Sequence, residues 1–163
     1  MTAPTTDPAH FAHSLPDRGR LLALDIGTKT IGLATASADW GFATAQKTLA
    51  RTTPAKDLAA LKAMAAADSI HGLVIGLPLS MDGSDSPRTQ SVRAQARNLA
   101  TALALPTLLW DERWSTMAVE RHMLDADLSR RKRETLVDAL AAAHILEGAL
   151  ARLRHLAASG PWS

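Results

Sequence analysis

Three carboxylates stand where an ionised acid is out of place. Asp25 closes the mostly apolar run Arg20-Leu-Leu-Ala-Leu-Asp25. Glu112 follows Leu108-Leu-Trp-Asp111. Asp138 lies in a helical stretch whose same-face neighbours at i+4, i+7 and i+11 are Ala142, Ile145 and Ala149. A charged carboxylate on such a face is costly unless a cation or a hydrogen-bond network compensates it. Singly, each acid has an ordinary reading. Asp25 could cap the Gly27 turn, Glu112 could pair with Arg113 or another arginine, and Asp138 could offset a helix dipole. Together they suggest one site, with the ends of the first and last strands as neighbours and a helix carrying Asp138 over them. Three such acids repel one another and need a cation. With no cysteine and no paired histidine, oxygen-only ligation selects Mg²⁺ or Mn²⁺. That chemistry fits in-line displacement at phosphorus. The candidate catalytic and metal-binding residues are therefore Asp25, Glu112 and Asp138.

Around these acids lie groups suited to a polyanion. In Asp25-Ile-Gly-Thr-Lys-Thr-Ile-Gly32, Gly27 permits close backbone approach, and Thr28 and Lys29 could donate to a phosphate beside the metal. Arg88, Arg93 and Arg97 follow one another along one helix. Arg131, Lys132 and Arg133 precede Asp138 by one to two turns. Residues 1–87 hold 7 basic and 8 acidic side chains, whereas residues 88–163 hold 11 and 8. Charge runs are commonly solvated faces. A basic cluster beside a carboxylate site is what a nucleic-acid substrate requires.

The elements that must position these residues follow from pattern. Arg20–Asp25, Ile31–Ser37 and Gly41–Leu49 read as three antiparallel strands joined by short connections. Thr53-Pro54 opens a helix, as does Ser86-Pro87, which should run to about Ala104. Gly72–Gly76 is a continuous apolar run and reads as a central strand covered on both faces. Thr107–Asp111 is the last strand. A helix is expected from Ser115 or Thr116 to about Leu124, and a long one from Arg131 to about Leu156. The fold class is α/β: a mixed five-stranded sheet, three antiparallel strands then alternating helix and strand, with helices on both faces. Residues 1–18 read as a disordered leader, 19–158 as a single nuclease domain and 159–163 as a C-terminal tail. His144, on the last helix but off the face of Asp138, reads as a packed or surface histidine. Trp110 and Trp114 read as core or wall.

Composition narrows the function. The chain has 163 residues, a formal charge of +2, 47% hydrophobic residues, no cysteine and no tyrosine. Absent cysteine excludes a disulfide framework, a thiol nucleophile and thiolate metal sites. Aromatic residues at 4% argue against a single-strand binder that stacks bases. No apolar stretch is long enough to span a membrane, and residues 1–20 lack the pattern of a secretory signal, so a cytoplasmic protein is expected.

Four motifs in order resemble the YqgF/RuvX family, the nucleases of pre-16S ribosomal RNA also called Holliday-junction-resolvase-like proteins. They are Leu24-Asp25-Ile-Gly-Thr-Lys-Thr-Ile-Gly-Leu-Ala34, Gly76-Leu-Pro-Leu-Ser-Met-Asp-Gly-Ser84, Trp110-Asp-Glu-Arg-Trp-Ser-Thr116, and Ser129-Arg-Arg-Lys-Arg through Val137-Asp-Ala-Leu-Ala-Ala-Ala-His-Ile-Leu146. The resemblance implies an RNase H-like fold, a metal-dependent phosphodiesterase with Asp25, Glu112 and Asp138 as its acidic triad, and a role in maturing the 5′ end of the small-subunit ribosomal RNA. Arg113 of the third motif then joins Lys29, Arg88 and the 131–133 cluster as a phosphate contact. Related junction resolvases carry a fourth acid or histidine one turn beyond the last aspartate, where this chain has Ala141. One metal, or a second held mainly by substrate and water, is the consequence.

Within that chemistry the substrate is structured RNA, with branched DNA as the alternative. A resolvase needs two sites related by two-fold symmetry, so monomer and homodimer both stay open. A noncatalytic RNA-binding or transcription-associated protein would not need to keep all three acids. An ATP-binding module with an Asp-x-Gly-Thr phosphate loop would need two such domains, and this chain is too short.

Overall fold

The computed structural model describes residues 3–16, 19–36, 41–113 and 130–159, and in the last of these the side chains of 140–158. The expected helix at 115–124, and Trp114, lie outside the described residues. In chain order the elements are α1 (Pro8–His13), β1 (Leu21–Ile26), β2 (Thr30–Ala36), β3 (Ala43–Ala45), β4 (Leu49–Ala50), α2 (Pro54–Ala67), β5 (Gly72–Leu77), α3 (Pro87–Leu103), β6 (Thr107–Asp111) and α4 (Arg130–Ser159).

Local chemistry sets the boundaries. Thr53 Oγ1 accepts the Lys56 N–H at 3.2 Å, and Pro54 takes the first helical position of α2. Ser86 and Thr89 form a reciprocal capping box at the start of α3. Ala104 leaves α3 in the left-handed region (φ 54°), ahead of Pro106.

The strands form one mixed sheet in the order β3-β2-β1-β5-β6. β1 runs antiparallel to β2 and parallel to β5, and β5 runs parallel to β6. The expected third strand is divided. Ala45 faces Ala34 and Leu49 faces Ile31, so four steps on one side oppose three on the other. The extra residue interrupts the ladder as a bulge does, and the sheet has six strands.

Side-chain alternation sends Leu21 and Ala23 to one face, where Phe11, Ala34, Val74 and Leu108 pack with Ala142, Ile145 and Ala149 of α4. Leu22, Leu24 and Ile26 face the other way, onto Leu61 of α2 and Val92, Ala96 and Leu99 of α3. Helices therefore cover both faces. The alanines of α4 let its backbone lie close on the sheet.

The leader differs from expectation. Asp7 Oδ1 accepts the Ala9 N–H at 3.0 Å, α1 follows, and Phe11 and Ala12 are each 1% exposed in the core. Thr5 pairs with the edge of β6: its N–H donates to Thr107 O at 3.0 Å, and its carbonyl accepts the Leu109 N–H at 2.8 Å. A six-residue helix spans less than two turns, too few for a hydrophobic period to show in sequence.

Candidate active site

β1 and β6 are not neighbours: β5 lies between them. Asp25 and Glu112 nonetheless meet, because the strand between them contributes a glycine. Leu24 pairs with Ile75, and Gly76 pairs with Trp110. One step on from Leu24, Asp25 comes beside Gly76, on the α4 face with Leu21 and Ala23. Trp110 and Glu112 share that face of β6 and its end. A Cβ at residue 76 would run into Glu112 Oε2 and the Ile145 Cδ1 methyl, and would stand 3.1 Å from the Glu112 carboxyl carbon. The missing side chain is thus the space into which Glu112 folds.

The electrostatics follow from that placement. Glu112 is only 9% exposed, and its Oε2 is buried with no hydrogen-bond partner. Burial pushes its carboxyl up to about 8, and the Asp25 charge and a hydrogen bond with Asp25 add to the rise; Arg88 offsets part of it. Two acids this close share a proton at neutral pH unless a cation replaces it.

Above this pair runs α4. Ala142 and Ile145 are fully buried against the sheet, and Asp138 occupies the same register four and seven residues upstream, on a helix that extends from Arg130. The side chains of Asp138, Arg131, Lys132 and Arg133 lie outside the described residues. His144 is exposed. Trp110 packs on the core, with its indole against Gly148.

The donor set fits a hard divalent cation. One Glu112 oxygen is orphaned in a glycine-floored recess, the same carboxyl bonds to Asp25, and a third acid stands in register along α4. Such oxygens suit Mg²⁺ or Mn²⁺.

The β1–β2 turn places Gly27, Thr28 and Lys29 two to four residues beyond Asp25, with Thr28 and Lys29 exposed. The Gly27 N–H donates to Thr30 O at 2.9 Å, and a Cβ on Gly27 would press on that same oxygen. Arg88 is exposed at the start of α3, and its Nη2 donates to Ile26 O at 3.2 Å. It thus joins the same edge as the two acids. Arg113 forks onto Asp111, with Nε–Oδ2 at 2.8 Å and Nη2–Oδ2 at 2.6 Å, and its Nη1 donates to Met81 O at 3.2 Å. Its side chain therefore ties the end of β6 to the glycine-rich loop. Arg93 is committed to Asp85 at 2.8 Å, and Arg97 is exposed on α3.

Two features escaped the sequence reading. Gly76 was legible as a small residue inside a strand, a mark of close approach. Arg51 carried no signal of its own. In the structure it binds the Gly27 carbonyl through Nη1 at 2.7 Å.

Comparison with known proteins places the chain. A family model described as RuvX, Holliday junction resolvase, matches residues 19–152. The chain belongs to the RuvX family. A relative from Sphingopyxis alaskensis is 60% identical over 146 residues, covering 90% of this chain and 95% of that protein. One from Zymomonas mobilis is 54% identical and covers 86% and 85%. One from Bradyrhizobium sp. (strain ORS 278) is 49% identical over 160 residues, covering 98% and 99%. All three are named as pre-16S rRNA nucleases. Among solved structures, Thermus thermophilus RuvC in complex with a Holliday junction aligns with a TM-score of 0.51 at 12% identity, over 83% of this chain and 96% of that one. That likeness is one of fold: this RuvX chain shares the fold of RuvC.

Proposed function

We propose that this RuvX chain is a divalent-metal-dependent nuclease that hydrolyses phosphodiester bonds in the precursor of 16S ribosomal RNA, at its 5′ end, during ribosome assembly in the cytoplasm. The observation that carries the reading is the pairing of Asp25 with Glu112 across Gly76, with one buried carboxylate oxygen left without a partner. The names of the relatives supply the substrate.

Asp25, Glu112 and Asp138 would hold the cation. Mg²⁺ or Mn²⁺ bound there supplies an activated water and neutralises charge at phosphorus. The chain's own residues do the rest. Glu112 gives up the proton it shares with Asp25 and orients the attacking water. Thr28 and Lys29 hold a phosphate at the exposed turn. Arg88, on the edge it shares with Asp25, offsets charge that develops on the phosphate oxygens. The basic residues Arg131, Lys132 and Arg133 contact the flanking backbone, and Arg113 keeps the glycine-rich loop against the end of β6. Recognition through backbone and shape suits a chain poor in aromatic residues.

The test is cleavage in Mg²⁺ or Mn²⁺ of precursor 16S RNA against a four-way DNA junction, for wild type, Asp25→Asn and Asp138→Asn. Wild type should cut the RNA in preference to the junction, and both variants should lose at least about 100-fold, the scale of a lost electrostatic catalytic group. Preference for the junction would transfer the assignment to branched DNA, with a homodimer as its natural form. Full activity in Asp25→Asn would sink the metal-site reading itself.

A further inference from the structure

Arg51 sits between β4 and α2. Its guanidinium makes three separate connections. Nη1 donates to Gly27 O at 2.7 Å, Nη2 to Gln95 Oε1 at 2.8 Å, and Nε reaches Asp57 Oδ2 at 3.4 Å. Its main-chain N–H also donates to Lys29 O at 2.9 Å. One residue therefore takes carbonyls from both sides of the exposed Gly27-Thr28-Lys29 turn, and joins that turn to α2 through Asp57 and to α3 through Gln95.

The supporting groups are themselves held. Asp57 is only 7% exposed, and its Oδ1 accepts the Thr52 N–H at 2.9 Å. Gln95 Nε2 donates to Ser91 Oγ at 3.1 Å, which fixes the amide with its oxygen toward Arg51. A planar guanidinium with five donors can serve three acceptors in three directions; an ammonium on a flexible stem cannot do so with the same geometry. Placing a four-armed brace behind a turn of three residues goes beyond what closing a hairpin needs. Gly27 already closes it onto Thr30.

We propose that Arg51 is a positioning residue for phosphodiester cleavage. It fixes the 27–29 turn so that Thr28 and Lys29 meet the scissile phosphate in register with Asp25, two residues upstream. This rests on the nuclease reading above. Effective positioning requires reacting groups to be held to a fraction of an ångström, and a turn free to rock would lose rate before it lost binding.

The test compares wild type with Arg51→Lys, which keeps the charge, and with Gln95→Leu, which removes one arm of the brace from α3 and leaves the Asp57 pair. Both should cut precursor RNA with kcat reduced about tenfold and KM within about twofold, the signature of an interaction needed in the transition state. Hydrogen exchange read by mass spectrometry should rise about tenfold or more in the peptide spanning 27–30 and stay at the wild-type rate in 73–76, the mark of local opening. Arg51→Lys should be the less impaired of Arg51→Lys and Arg51→Ala. An unchanged kcat in Arg51→Lys and Gln95→Leu, or unchanged exchange at 27–30, overturns the proposal. If Arg51→Lys does not fold, Gln95→Leu alone decides it. Absence of cleavage by wild type would overturn the nuclease reading instead, and the exchange data would still report whether Arg51 holds the turn.

Discussion

Replacing Glu112 with glutamine keeps the side chain's size and removes its ability to ionise. In the folded, metal-free protein, burial and then the Asp25 charge raise the Glu112 carboxyl from 4.5 to about 8. Between those values the folded state keeps a proton that the unfolded chain has released. Stability therefore falls as pH rises through this window and levels off above it. The span of 8 − 4.5, at about 1.4 kcal/mol per unit, sets a ceiling of about 5 kcal/mol. Relaxation and water entry reduce such penalties, so about 2 kcal/mol is the expected loss. Glutamine carries no such slope, and its amide can donate to Asp25 as the protonated acid does. Thermal unfolding in EDTA should show Glu112→Gln melting about 4–8 °C above wild type at pH 8.5, and within about 1–2 °C of it at pH 4.5. Every titrating group outside the Asp25–Glu112 pair is common to both proteins, so the difference isolates the pair. Saturating Mn²⁺ should reverse the order, since the ion stabilises only the protein that binds it well. Cleavage by the variant should fall at least about 100-fold. Parallel pH profiles for the two proteins would refute the claim that Glu112 is held protonated by its surroundings.

Gly76→Ala places a methyl against Glu112 Oε2 and Ile145 Cδ1; it should cost about 1–3 kcal/mol in urea unfolding and weaken Mn²⁺ binding. Phe11→Ala, at a side chain 1% exposed, should cost about 3–5 kcal/mol while leaving kcat at the wild-type value well below the melting temperature. The Thr52 amide, then Arg51, holds the Asp57 carboxyl below the usual range. Its stabilisation is thus complete above about pH 4 and fades as pH falls through the lower folded value. The melting curves of wild type and Asp57→Asn should therefore separate at neutral pH and converge under acid conditions.

The order of β1, β2, α2, β5, α3, β6 and α4 was legible because each of these elements carried a strong local signal, which the short α1 did not. Thr53-Pro54 and Ser86-Pro87 cap and open helices by hydrogen bonding and fixed φ, independent of tertiary context. The continuous apolar run of β5 announced a strand covered twice. Asp25 and Glu112 were legible as acids at strand ends, but how they meet was not. The order β1-β5-β6 depends on crossovers, and only then does Gly76 become the gap between two carboxylates. Arg51 was invisible for a related reason. Its partners at positions 27, 57 and 95 are brought together by the packing of β1, α2 and α3, which no local pattern encodes. The bulge that divides β3 from β4 is likewise a matter of register across two strands.

The pairing of Thr5 with β6 bears on how copies of this chain can assemble. An outer strand whose amides and carbonyls are exposed is a template for a second chain. Here Thr5 already takes Thr107 O and the Leu109 N–H on that rim. A second copy could extend the sheet at β6 only by first peeling away residues that continue into α1 and the buried Phe11. The amino-terminal segment thus acts as a stopper on sheet growth, and a dimer of this protein should form through helices or through the opposite rim.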